Sequence, residues 1–269
     1  MTAETAPPVP QTRVLVGMPN NYGTVPIEFF SSMLALQVPK VPGGCSMGHG
    51  ILSGRHQAAM REGLCEIALK HDFTHLLMVD TDMVYPPYTL ERLLAADVDV
   101  ICGFAMSKLF PHRPIFGPLG TERWTFAPRW PTENGKPDGK RLEGPQPSFV
   151  MGGAALMIRM EVLHRLPRPW FSFQAHTSDG TEAGEDIWFS QLCADHEIQA
   201  YVHMDVIVHH LTRAQIIPHH TPGDEQIGEN GIWGVQYLPQ WGKHALEQQT
   251  PPMESGPGKI ALKETSVEV

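Results

Sequence analysis

An α/β fold, with a mostly parallel central sheet flanked by helices, is predicted by three observations. Short apolar runs alternate with amphipathic stretches between residues 12 and 241. One of those runs, residues 75–79 (HLLMV), is apolar throughout, as a central strand covered on both faces must be. That run stops at the acidic triplet Asp80-Thr81-Asp82, which places carboxylates just beyond a strand's carboxyl end.

The elements follow in order. Residues 13–19 (RVLVGMP) form the first strand, and residues 26–36 form a helix opening on a proline. Residues 53–70 make a second helix, capped by Ser53, with Met60, Leu64, Ile67 and Ala68 on its buried face. After the central strand, Pro86 and Pro87 start a helix carrying Leu90, Leu93 and Leu94 on one side, and residues 98–105 (VDVICGFA) supply another strand. Residues 148–159 (SFVMGGAALMIR) are expected as one strand containing a glycine pair, followed by a short helix over 161–166. A helix over 184–196 buries Trp188, Phe189, Leu192 and Cys193, and residues 200–211 form a strand ending in two histidines. The single domain is thus placed at 12–241, between flexible ends at 1–11 and 242–269. Within it, residues 108–141, rich in Pro, Gly, Trp and Arg, break the pattern and read as an insertion with a functional role.

Composition narrows the classes. Apolar residues at 42% and charged residues at 18% are globular values, which excludes wholesale disorder and fibrous repeats. No run approaches the roughly 18 consecutive apolar residues of a membrane span, and MTAETAPPVPQ lacks the basic and apolar regions of a leader, so a soluble, cytoplasmic protein with no membrane partner is expected. Cys45, Cys65, Cys102 and Cys193 stand far apart without a CxxC pair, which argues for reduced thiols over disulfides or a thiolate zinc site. The net charge of -9 opposes bulk attraction to nucleic acid but permits a local basic patch.

Such a patch exists in residues 108–141, where seven basic side chains face three acidic ones. Phe110, Phe116, Trp124, Phe126 and Trp130 are interleaved with the cations. That mixture suits phosphate pairing and base or sugar stacking, although the same aromatics can fold back onto the core.

Asp80 and Asp82 offer hard oxygen ligands for Mn or Mg with a phosphate, but an isolated Asp-x-Asp equally describes a polar turn. A third ligand can come from the strand ending in His209-His210. Neighbouring strand residues face opposite ways, so only one of the two can join the metal. His210 is preferred, with His209 or Asp205 as fallbacks. Glu185 and Asp186 open a helix, where a carboxylate either complements the helix dipole or serves as a general base. Arg55 and His56, after the glycine-rich CSMGHGILSG, can reach phosphate oxygens. Gly152 and Gly153 permit close approach of a sugar, or simply tight packing.

Taken in order, PNNYG, SGRHQAA, LLMVDTDMVYP, VMGGAALMI, GEDIWF and VIVHHL resemble a GT-A glycosyltransferase of the family 2-like kind, over residues 13–212 without most of the insertion. The resemblance implies a nucleotide-sugar donor, usually a UDP-sugar, with Mn or Mg joining the diphosphate to Asp82 and Asp80. It puts Pro19 and Asn20 beside the nucleoside, Arg55 near the nucleotide, Asp186 at the position of the base in inverting members with Glu185 beside it, and His210 at a late metal-ligand position. His56 stands where many relatives have Asn. The short organisation also resembles bacteriophage glycosyltransferases, some of which modify hydroxymethylated pyrimidines in DNA. The leading acceptor is therefore 5-hydroxymethylcytosine, flipped from a duplex held by residues 108–141. A protein or glycan hydroxyl is the alternative, and a non-catalytic carbohydrate-binding protein the furthest one. The chain lacks the Thr that usually follows the Asp-x-Asp of a haloacid-dehalogenase phosphatase, and near its first strand it lacks the Gly/Arg signature of a sugar nucleotidyltransferase.

Overall fold

The computed structural model describes residues 11–21, 23–54, 56–108, 112–119, 127, 131–136, 139–173 and 184–211, together with the backbone of 215–216 and 235–236. All of these fall in one unit, Met1–Gln236. β1 (Thr12–Asn20) is apolar and buried along most of its length because it lies inside the sheet, between β2 (Cys45–Ser53) and β3 (His75–Met78). β7 (Leu156–Arg159), β5 (Val100–Phe104), β8 (Ala200–Ile207) and β6 (Pro145–Ser148) complete seven strands in the order β2-β1-β3-β7-β5-β8-β6. β1 pairs parallel with β2 and β3, and β5 with β8, whereas β7 and β6 run antiparallel to their neighbours. Five strands therefore share one direction, in line with the expected mostly parallel sheet.

α1 (Ile27–Leu34), α2 (Gln57–Lys70), α3 (Thr89–Ala95), α4 (Met160–Arg165) and α5 (Glu185–Asp195) surround the sheet. One apolar cluster gathers Leu64, Cys65 and Ala68 of α2, Leu163 of α4 and Phe189 of α5 over Leu76 and Met78. The other packs Phe29 of α1 and Leu90 and Leu93 of α3 over Val16, Leu77 and Ile101. Beside them a small sheet in the order β11-β10-β9-β4 joins β4 (Met83–Val84) and β9 (His209–His210) to two further short strands, Gln215–Ile216 and Val235–Gln236.

Four expectations are corrected. Ser53 does not cap a helix: it ends β2 opposite Asn20, the Gly54 N–H donates to the Asn20 carbonyl, and α2 starts only at Gln57. The glycine-rich segment before it is an edge strand, since β1 supplies the backbone partners its own composition does not advertise. Residues 148–159 form two strands, because the chain turns at Gly152-Gly153 and takes a left-handed conformation at Ala155 (φ 49°) between β6 and β7. Residues 200–211 split at Val208, whose N–H bonds back to Phe104, and the two histidines then leave for the small sheet. Trp188 is only half-buried, its indole N–H donating to the Pro169 carbonyl, while Ile187 takes an inward position instead.

Candidate active site

The site forms where the carboxyl ends of β1 and β3 meet the start of α5. Asp80 follows Val79, whose N–H donates to the Gly17 carbonyl at 2.9 Å and keeps the chain in line with β1. The Asp80 carboxylate turns inward, accepting from Arg61 Nη2 at 2.6 Å and Gln57 Nε2 at 3.1 Å, both on α2. Burial raises its pKa above the ordinary carboxylate value, with the Arg61 charge pulling the other way. The Tyr85 hydroxyl donates to the Asp80 carbonyl at 3.0 Å. Burial first, then Asp80 and Asp82, push that phenol well above its usual range, so it stays a donor.

Asp82 has partners of its own. Its Oδ2 lies 2.7 Å from Lys108 Nζ, and its carbonyl accepts from the Leu211 N–H at 2.7 Å. The second contact lays β9 along β4, with Met83 opposite His210 and Val84 opposite His209. Burial lowers the His210 pKa; Asp82 and a hydrogen bond with the Met106 backbone oppose that shift, and Lys108 and His112 add to it. The imidazole is neutral at pH 7, and among the described residues its buried Nδ1 has no hydrogen-bond partner. Asp205 accepts from the Gly144 N–H at 2.8 Å, so its carboxylate is used in a turn.

Glu185 and Asp186, adjacent on α5, separate in role. Glu185 is 8% exposed and accepts from Arg61 Nε at 2.8 Å. Asp186 accepts from the Ile187 N–H at 2.9 Å and the Gly153 N–H at 3.3 Å. Burial and then Glu185 raise its pKa to about 6, with Arg61 opposing. Arg61 is 1% exposed. Burial opposes its charge, but Asp80, Glu185 and Asp186 outweigh that and hold it protonated.

The structure thus brings Asp80, Glu185, Asp186 and Gly153 around Arg61, and Asp82, His210 and Lys108 beside them. A shared metal point for Asp80, Asp82 and His210 is not assembled. Asp80 is tied to Arg61 and Gln57, and among the described residues no three His, Cys, Asp or Glu side chains gather closely enough to hold an ion. Pro19 and Asn20 are buried at the end of β1, where Asn20 Oδ1 accepts from the Gly23 N–H. Arg55 lies outside the described residues; His56 precedes α2 and makes no side-chain cap. The glycine pair is explained by packing: a Cβ on Gly152 would press on Ile115 at 3.2 Å, and one on Gly153 would collide with the Arg61 guanidinium. Gly153→Ala is therefore expected to cost about 1–3 kcal/mol as overpacking. A lowering of Tm by roughly 2–12 °C in thermal denaturation checks this, and an unchanged Tm would show that Arg61 is not held there.

Arg61, Gln57, Tyr85 and Lys108 were not evident as site residues. Arg61 carried a signal: a charged residue between Met60 and Leu64, on the apolar face of α2, requires a buried partner. Lys108 stood only as one cation of the insertion, and nothing in its spacing connects it to Asp82. In that insertion Phe116 is buried in the core, Lys140 pairs with Glu133, and Arg141 donates to the Met204 carbonyl. Arg123, Trp124, Phe126, Arg129 and Trp130 lie outside the described residues. A cavity of about 750 Å³ lined by Thr12, Phe73, His75, Asp97 and Arg159 opens at the amino ends of β1 and β3, away from these carboxylates.

No protein-family model and no curated protein sequence matches the chain. Among solved structures it is similar to A197 from STIV, with a TM-score of 0.50 and 20% identity over 78% of this chain and 92% of that one. It is also similar to residues 1–349 of S. aureus TarS in complex with UDP, at TM-score 0.42 and 11% identity, covering 72% of this chain and 58% of that chain. The UDP-GlcNAc complex of the same protein gives 0.40 and 12% over 72% and 56%. The likeness to A197 is one of fold, an α/β sheet flanked by helices. In such a sheet the carboxyl ends of the strands form the ligand side, which is where both acidic pairs stand. No helix among the described residues is long and apolar enough to cross a membrane.

Proposed function

We propose that the chain is a glycosyltransferase, moving a hexosyl or N-acetylhexosaminyl group from a UDP-sugar to an acceptor hydroxyl with inversion at the anomeric carbon. One observation carries most of the support. Arg61 joins Asp80, beyond β3, to Glu185 at the start of α5, so acidic residues remote in sequence share one place at the ligand edge of the sheet.

In this reading Pro19, Asn20 and Arg55 border the nucleotide. Asp82 and His210 are the side chains that fit Mn or Mg, one a hard oxygen donor and the other a neutral imidazole whose buried Nδ1 has no hydrogen-bond partner among the described residues. These two side chains would hold the ion, and the chemistry it would supply when bound is neutralisation of negative charge on a diphosphate leaving group. Lys108, already at Asp82, adds a cation at the same place. Asp186 takes the proton of the acceptor hydroxyl; its oxygen attacks the anomeric carbon opposite the phosphate, and the sugar–phosphate bond breaks with its electrons leaving on UDP. A carboxylate with a pKa of about 6 suits proton acceptance near neutrality. Glu185, committed to Arg61, does not compete for that task.

The test is transfer of labelled sugar from UDP-glucose and UDP-GlcNAc to DNA containing 5-hydroxymethylcytosine, and separately to protein and glycan acceptors, with and without chelator. Transfer to one acceptor class, reduced at least about tenfold by chelation, is expected. Label confined to protein or glycan removes the DNA acceptor, and undiminished turnover after complete metal removal removes the ion. Donor binding without transfer to any acceptor leaves the non-catalytic carbohydrate-binding alternative.

A further inference from the structure

We infer that Arg61 is a positioning residue, whose one guanidinium sets both the donor-side carboxylate Asp80 and the α5 start that carries Asp186; this rests on the glycosyl-transfer reading. Each arm is defined. Nη2 donates to Asp80 Oδ1 at 2.6 Å and Nε to Glu185 Oε1 at 2.8 Å. Nη1 points to the Gly153 carbonyl at 3.4 Å and to Met78 Sδ at 3.4 Å. Gly153 in turn donates its N–H to Asp186, so the base is reached from Arg61 both through Glu185, its neighbour on α5, and through the backbone of Gly153.

The fork is also fixed from its side. The guanidinium lies 6.0 Å from the Phe171 ring centroid, and Phe171 stacks on Phe189 of α5 with centroids 4.8 Å apart. Glu62, the next residue of α2, accepts from the Phe171 N–H at 2.8 Å and holds that ring's backbone in place. α2, the loop after β3 and the start of α5 therefore meet at one planar cation, whose Nε and two terminal nitrogens point to three different segments. A lysine keeps the charge but cannot span these partners at once, because it is a single point of charge on a flexible stem.

The experiment compares wild type with Arg61→Lys, Gly153→Ala and Glu185→Ala. It measures kcat, the Kd for UDP by calorimetry, the melting temperature, and the pH dependence of kcat/KM, all at a temperature where every variant is folded. Arg61→Lys is expected to lower kcat by about 100-fold, as small misplacements of reacting groups do, and to weaken UDP binding several-fold, with the acid limb of the pH profile in place because the cation remains. Gly153→Ala displaces the guanidinium without removing it and is expected to move the same two quantities in the same direction. Glu185→Ala removes only the arm to α5, so it is expected to lower kcat with little change in UDP affinity. In the double variant of Arg61→Lys and Glu185→Ala, the two kcat losses are expected to be far from additive.

Arg61→Gln adds a charge readout. Among the described residues Asp186 faces Glu185 on its own helix, Asp80 beyond β3, Cys102 on β5, and the Arg61 cation; without that cation the acid limb is expected to move to higher pH. Wild-type kcat and UDP affinity in both Arg61→Lys and Gly153→Ala, or losses that add in the double variant, would overturn the role while leaving the glycosyl-transfer reading intact. Absence of both UDP-sugar binding and transfer in the wild type would instead remove that reading, and this role with it.

Discussion

Asp186→Asn is expected to lower kcat for sugar transfer by about 10²–10⁴-fold, the usual contribution of a positioned general base, while the variant still binds UDP. The amide keeps one oxygen, which can go on accepting from the Ile187 N–H as Oδ1 does, so α5 keeps its start; the longer contact from the Gly153 N–H to Oδ2 is given up, and with it the ability to take a proton. The wild-type pH profile makes the same point. In the proposed mechanism the carboxylate is the active form, and burial with Glu185 beside it raises its pKa to about 6. Transfer measured as kcat/KM should thus be lost as pH falls through about 6, about two units above the range of an ordinary Asp. A profile flat down to pH 5, or an Asn variant with wild-type turnover, would discard Asp186 as the base.

Arg61→Met is expected to give the largest loss of stability. Removing the guanidinium leaves Asp80 and Glu185 without their charged partner in a buried place, with Asp186 close by. Breaking a buried ion pair from one side costs about 3–5 kcal/mol, which for a domain of this size lowers Tm on the order of 10 °C. The sign of the pH effect follows. The abandoned carboxylates repel one another only when ionised, so the deficit against wild type should shrink as acid protonates them. Thermal denaturation at neutral and mildly acidic pH measures both effects. A variant as stable as wild type at pH 7 would mean that the cluster does not need its cation.

Much of this was legible in the chain. Residues 75–79 announce a buried strand because both faces are apolar, and the Asp-x-Asp after them marks the ligand edge as such sheets require. The start of α5 was readable from Gly184 and the two carboxylates after it. Less visible was anything decided by partners remote in sequence. The glycine-rich stretch before Gly54 is a strand only because β1 supplies its ladder, and residues 149–155 turn because β6 and β7 each pair elsewhere. The two aspartates of one short motif serve different neighbours, Arg61 and Lys108, that local spacing does not connect to them. Gly153 reads in the sequence either as room for a sugar or as tight packing, and in the fold it makes room for a guanidinium. Its meaning was hidden because the residue that needs it is 92 positions away.

The most direct measurement of the central claim is calorimetric titration of the full chain with UDP in the presence of Mn, repeated with Asp82→Ala and Asp186→Asn. The account predicts saturable binding of one UDP per chain, weakened at least about tenfold by Asp82→Ala, since that variant loses a charge-assisted ligand, and retained by Asp186→Asn. Absence of UDP binding to the wild type, or equal affinity in the Asp82 variant, would contradict it.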